Sequence, residues 1–163
     1  MARIIRFGLN HFFHSSILLV ALILLPSILL HAQEKKKIEL KRADVLEYDE
    51  SLGHKARRLI GNVQFEHEGT LMDCDSAYLY STNSLDAFGH VHVNKGDTML
   101  MWCDKLFYDG NTKKARAEQN VTMDDGDMIL ESNIILYDLE TDIASYFFGG
   151  KITSELDTLT SMV

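Results

Sequence analysis

The sequence predicts an all-β protein, an antiparallel open roll of bent strands built from repeats of about thirty residues. Three observations carry this expectation. The first is internal repetition. Gly61 opens GNVQFEHEGTLMDCDSAYLYSTNSLDAF, Gly89 opens GHVHVNKGDTMLMWCDKLFYDGNTKKARAE, and Gln119 opens QNVTMDDGDMILESNIILYDLETDIASYF. Half a unit precedes them (RADVLEYD from Arg42 matches WCDKLFYD from Trp102), and an incomplete copy begins at Gly150-Lys151-Ile152-Thr153. The second observation is period-two alternation. Val63 and Phe65 alternate with Asn62, Gln64 and Glu66; Val91 and Val93 with His90, His92 and Asn94; Val121 and Met123 with Asn120, Thr122 and Asp124. Apolar residues at every second position mark half-buried strands. The third is turn chemistry at regular places. Glu68-Gly69, Lys95-Gly96-Asp97 and Asp124-Asp125-Gly126-Asp127 form one series of turns. Ser81-Thr82-Asn83-Ser84, Asp109-Gly110-Asn111-Thr112 and Asp138-Leu139-Glu140-Thr141 form the other. Gly, Asn and Asp tolerate positive φ, and Asp, Asn and Ser bond back to the backbone.

Each repeat is therefore two strands of about ten residues joined by tight turns, which makes neighbours antiparallel. One glycine per repeat falls inside a strand: Gly61, Gly89 and the Gly149-Gly150 pair, with Gln119-Asn120 in the remaining copy. Glycine inside a strand marks a bulge or sharp bend. Each long strand is expected to fold over there and pass from one sheet to a second. The second strand of each repeat leaves its inward face open. Leu100, Asp104, Leu106 and Tyr108 share one side, and Met99, Met101, Cys103 and Phe107 the other. A bulge near Cys103-Asp104 would switch the faces.

The N-terminal stretch has a different character. Arg3 and Arg6 precede an apolar run from Ile17 to Leu30, followed by His31-Ala32-Gln33 and the charged Glu34-Lys35-Lys36-Lys37. That is the layout of a secretory signal helix over 1–32, with cleavage expected after Ala32 and a repeat domain over 33–163. A retained anchor is the alternative, although the run is shorter than the about 20 residues that span a bilayer. Removing Arg3 and Arg6 takes the net charge from −8 to −10. Such acidity argues against a nucleic-acid partner. Cys74 and Cys103 hold equivalent places in successive repeats, so another strand separates them. Two strand spacings, roughly 9–10 Å, exceed the about 7 Å that a disulfide bridges between Cα atoms. Free thiols are expected.

The unit G-N-V-x-[FV], turn, [CS]-[DN]-x-x-x-[YF], turn, A-x-[AF]-[GQ] resembles the OstA/LptA family of periplasmic lipopolysaccharide-transport proteins. Gly61-Asn62-Val63, Cys74-Asp75, Gly89-His90-Val91, Cys103-Asp104 with Leu106 and Tyr108-Asp109, Asn120-Val121, and Asn133 with Tyr137-Asp138 carry the likeness from about Leu40 onward. Gln119 in place of a bend glycine departs from the pattern, and the stop within a repeat looks like the front portion of a longer protein. The resemblance implies a β-jellyroll, or β-taco, whose apolar interior holds the acyl chains of lipid A. It implies end strands that pair head-to-tail with other transport proteins. It implies no catalysis, no cofactor and a periplasmic location, with association at the outer membrane. On this reading the lipid trough is lined by Val63, Phe65, Val91, Val93, Leu106, Tyr108, Val121, Met123, Ile135 and Tyr137.

Other features admit a functional and a plain reading. Lys55, Arg57 and Arg58, with Lys113, Lys114 and Arg116, sit before the bends and would form a basic rim for lipid phosphates; solvated charges that discourage edge aggregation are the plain reading. His90 and His92 share a strand, but two ligands without a third make a poor metal site. The column Asp44, Asp75, Asp104 and Asn133 is expected to cap backbone groups at the bulges, with no nucleophile or base beside it. Met72, Met99, Met101, Met123 and Met128 are expected in the core, where methionine adapts its packing. A transport module is thus weighed against a structural solenoid, a scaffold or adhesive protein with a filled interior, and against a hydrolase on a β-solenoid.

Overall fold

The computed structural model describes residues 36–49, 56–154 and 158–161. The expected signal segment 1–32 and Lys55 lie outside the described residues. Ten strands are described: β1 (Glu39–Arg42), β2 (Val45–Asp49), β3 (Ala56–His67), β4 (Thr70–Tyr80), β5 (Ser84–Asn94), β6 (Leu100–Asp109), β7 (Lys114–Asp124), β8 (Met128–Asp138), β9 (Ile143–Ser154) and β10 (Thr158–Ser161). They form one antiparallel sheet in which β3 to β10 follow chain order, and β1 and β2 both pair with β3. No described residue is helical.

The sheet is bent along one line. Its register shifts at the same level in successive pairs: Ile60/Val63, Phe88/Val91, Trp102/Lys105, Glu118/Val121 and Ser132/Ile134. On that line two consecutive residues take left-handed backbone: Gly61-Asn62, Gly89-His90, Gln119-Asn120 and Phe148-Gly149. The last pair stands one residue before the Gly149-Gly150 pair that the sequence suggested. Gly150 pairs with Ser132 beyond the bend. It lacks a side chain for another reason: a Cβ there would lie 2.7 Å from the Tyr146 ring. Glycine is required most clearly at Gly61 and Gly89. Their φ angles are +76° and +75°, and a Cβ would meet the carboxylates of Asp44 and Asp75 at 2.5 and 2.4 Å.

The bulge also settles the face of the second strand. Met101 and Cys103 are buried before the bend of β6, and Leu106 and Tyr108 after it. Alternation changes phase at the bulge, so both arms of one strand point apolar side chains into the same interior. One arm presents Phe65, Met72, Val93, Met101, Met123, Leu130 and Ile152 in a row across the strands. The other presents Leu59, Ala77, Ala87, Leu106, Ala117, Ile135 and Tyr146. The alanines of the second row leave room for the larger side chains of the first. Each fully buried aliphatic or aromatic side chain contributes about 1.5–3 kcal/mol. Met128 departs from expectation: it is 47% exposed while Met72, Met99, Met101 and Met123 are buried. Cys74 and Cys103 are free and buried, with β5 between their strands. Burial pushes both thiols up to about 12.

Candidate functional site: the interior and its mouth

All ten residues expected to line a trough, Val63, Phe65, Val91, Val93, Leu106, Tyr108, Val121, Met123, Ile135 and Tyr137, belong to the buried apolar cluster between the arms. From β3 to β7 this interior is packed with the protein's own side chains. It loosens toward β8 and β9, where Leu130, Ala144 and Tyr146 are only partly buried. A cavity of about 240 Å³ opens there, lined by Met123, Leu130, Ala144, Tyr146 and Ile152, with Asp125 and Asp142 among its polar residues. Among the described residues, then, the interior is filled from β3 to β7 and opens at β8 and β9.

The two arms meet again at their tips, opposite the bend, and polar contacts span that mouth. Before β1, the Ile38 amide donates to Asn83 Oδ1 in the β4–β5 turn at 2.8 Å. His67, ending β3, lies 2.6 Å through Nδ1 from the Tyr108 hydroxyl and 3.0 Å through Nε2 from the Lys36 carbonyl. A carbonyl accepts only, so Nε2 carries a proton and donates to it. Burial pushes the Tyr108 hydroxyl well above the usual phenol range, which keeps it a donor. Glu68 in the β3–β4 turn pairs with Lys113 in the β6–β7 turn at 2.7 Å. Lys95, at the start of the β5–β6 turn, donates to the Leu139 carbonyl in the β8–β9 turn at 2.9 Å and pairs with Asp142. The Lys113 ammonium holds the Glu68 carboxyl below its ordinary range, and Lys95 does the same for Asp142.

The basic residues do not make one rim. Arg57 pairs across the sheet with Leu79 and is exposed. Arg58 pairs with Glu47 at 3.2 Å, Arg116 with Glu118 at 2.6 Å, and Lys114 stands 4.0 Å from Asp138. Among the rim residues described, Lys113 reaches the mouth. Lys114 and Arg116 instead line a larger concavity, about 560 Å³, with Phe107, Leu136, Asp138 and Ile143.

The acidic column lies along the bend. Asn62 donates to Asp44 at 2.8 Å and Asn120 to Asp104 at 2.7 Å, while His90 Nδ1 meets Asp75 at 2.7 Å. The carboxylates therefore meet the side chains of left-handed bend residues, where backbone donors were expected. Each contact steadies a strained position beside it. His92 engages elsewhere, stacked on Trp102 with centroids 5.2 Å apart. Among the described residues no group of three or more His, Cys, Asp or Glu side chains could hold a metal ion. The Asp124–Asp127 turn closes on itself, with Asp124 accepting from the Gly126 amide and Asp125 from those of Asp127 and Met128.

Sequence reasoning missed His67, Glu68, Asn83, Lys95 and Asp142 as a set. Their partners lie 31 to 47 residues away, or 45 for Glu68 and Lys113 by their numbering. One signal was available for one pair: Glu68 and Lys113, residues of poor left-handed propensity, stand at turns, and both have positive φ.

No curated protein matches the sequence. Among solved structures, the chain is similar to LptH of Pseudomonas aeruginosa, described as the LptA-homologous periplasmic component of the conserved lipopolysaccharide transport device. The identity is 13%, the TM-score is 0.61, and the match covers 68% of this chain and 82% of that one. At that identity the likeness establishes the fold: an antiparallel bent sheet of the same kind. The profile of OstA-like proteins matches residues 35–163, which takes in every described strand. The repeats, the bend and this match over most of the sequence together place the chain in the OstA-like protein family.

Proposed function

We propose that this protein is a non-catalytic periplasmic module that binds lipopolysaccharide by its acyl chains and passes it toward the outer membrane. Membership of the OstA-like family supports the transport role. The observation that carries the lipid reading is the apolar port at β7–β9, continuous with an interior lined by aliphatic and aromatic side chains. Each methylene moved from water into such a site contributes about 0.8 kcal/mol, and the grip needs no directional contact. Val63, Phe65, Val91, Val93, Leu106, Tyr108, Val121, Met123, Ile135 and Tyr137 line the path if the arms part, with Met123 at its entrance. Lys114 and Arg116 beside the outer concavity are the cations best placed for lipid phosphates. Partner transport proteins would join head-to-tail by strand pairing. β10 covers β9 only over Gly150–Thr153, which leaves Ile143–Phe147 without a further strand among the described residues. Such an edge is a template for another chain.

A scaffold is the second reading, favoured by the packed interior from β3 to β7. Photo-crosslinkers at Met123 and Val93 separate the two in cells. Labelled lipopolysaccharide at Met123, and at Val93 during transport, supports the carrier. Crosslinks to protein alone at both positions would establish the scaffold.

A further inference from the structure

The contacts across the mouth follow a rule. The tip before β1 meets the β4–β5 turn, the β3–β4 turn meets the β6–β7 turn, and the β5–β6 turn meets the β8–β9 turn. Each tip of one arm is closed by the tip of the other arm about three strands further along the chain. The stagger follows from the twist of the sheet, which rotates one arm across the other. It also explains the port. The next tip in the series, the β7–β8 turn at Asp125–Asp127, meets no opposing tip among the described residues, and the cavity lies beside it. Lys95 and Asp142 form the contact next to that opening, and Asp142 itself lines the port.

The backbone marks these contacts a second time. Asn83, Glu68, Lys113 and Asp142 all hold left-handed backbone. Glycine would adopt that conformation more readily. Left-handed side chains persist where the surroundings hold them, and they concentrate at clamps and switches. In each case here the side chain reaches across the mouth. Lys95 is anchored three ways, by Asp142, by the Leu139 carbonyl and by the Tyr137 ring 5.9 Å from its ammonium.

We propose that Lys95 and Asp142 form a latch that controls passage of an alkyl chain from the port into the filled interior, the other tip contacts being later latches in the same row. This rests on the lipid-carrier reading. A chain entering beside Met123 and Tyr146 meets the closed mouth at Lys95, and the arms must part there before it advances. The polar contacts sit at the rim and the apolar ones beneath, so opening releases hydrated charges to water while the ligand replaces the side-chain contacts below.

The test uses the full chain with Asp97→Cys and Glu140→Cys on the two facing turns. Cys74 and Cys103 are changed to alanine in this background, so that only positions 97 and 140 carry label. Nitroxides at 97 and 140 report mouth width without ligand, and cis-parinaric acid fluorescence reports entry into the apolar interior. Lys95→Met is expected to lengthen and broaden the spin–spin distance and to speed uptake on the order of tenfold, the effect of one charge-assisted hydrogen bond. Lys95→Arg should keep both near wild type. Joining the two cysteines with a flexible bis-maleimide should abolish uptake. If the joined form takes up the probe as fast as the free form and Lys95→Met leaves the distance unchanged, the latch is wrong and the carrier stands. If unjoined wild type takes up neither cis-parinaric acid nor lipid A, the carrier reading falls, and the spin–spin distance in Lys95→Met still judges the latch alone.

Discussion

Gly89, like Gly61, combines two demands that only glycine meets: left-handed backbone, and a carboxylate 2.4 Å from where a Cβ would stand. Gly89→Ala is therefore expected to cost about 1–3 kcal/mol. The check is urea unfolding, with a lower midpoint and an unchanged slope. Asp75→Ala in the same chain should recover part of the loss, since it removes the clash and leaves the backbone strain. The adjacent His90 has its pKa raised, first by its hydrogen bond to Asp75 and then by the charge of that carboxylate. A folded-state pKa above the unfolded value stabilises the protein below about pH 6.5 and loses that effect as pH rises through the folded value. The unfolding midpoint should drop as pH rises above about 6.5. In Asp75→Asn the drop should shrink, and the His90 titration seen by NMR should move down toward the ordinary histidine value. An unmoved titration would remove Asp75 as its cause.

At the scale of the strand, the bulge matters more than the hydrophobic pattern. A straight β6 would aim Met101 and Cys103 at one face and Leu106 and Tyr108 at the other; the phase change turns all four inward. Leu106 then stands between Ala87 on β5 and Ala117 on β7. Alanine neighbours cannot collapse into a void. Leu106→Ala should sit toward the upper end of the about 2–5 kcal/mol range for such truncations. Calorimetry or denaturant melts measure this directly, and a cost below that range would mean the arms had closed over the gap. The strands, their lengths and the hairpin order were legible because period-two alternation and turn residues are local signals. The inward face of β6 was not, because it depends on how many residues the bulge absorbs.

For the whole molecule, the mouth is the weakest seam. Its charged contacts, Glu68 with Lys113 and Lys95 with Asp142, are partly exposed and each is worth little alone. The lysines depress both carboxyl pKa values. A depressed carboxyl stabilises the closed form above its unfolded pKa, about 4, and loses that effect as pH falls through the folded value. Below about pH 4 the tips are expected to loosen before the core melts. Hydrogen exchange would show this as early loss of protection in the β3–β4, β5–β6, β6–β7 and β8–β9 turns, with β5 and β6 protected until global unfolding. Simultaneous loss everywhere would mean that the tips do not open separately. The candidate site was half legible. Val93, Met123 and Tyr137 could be assigned to an interior from their repeat positions, whereas Lys95 and Asp142 gave no local sign of being partners.

By itself, the sequence determined the repeat, the antiparallel hairpins, the bend line and the two free thiols, because each depends on residues close together in the chain or on equivalent repeat positions. Tertiary structure decided the rest: how far the interior is filled, where it opens and what closes it. Those depend on the angle at which the twisted sheet folds over itself, which brings each tip against one about three strands away.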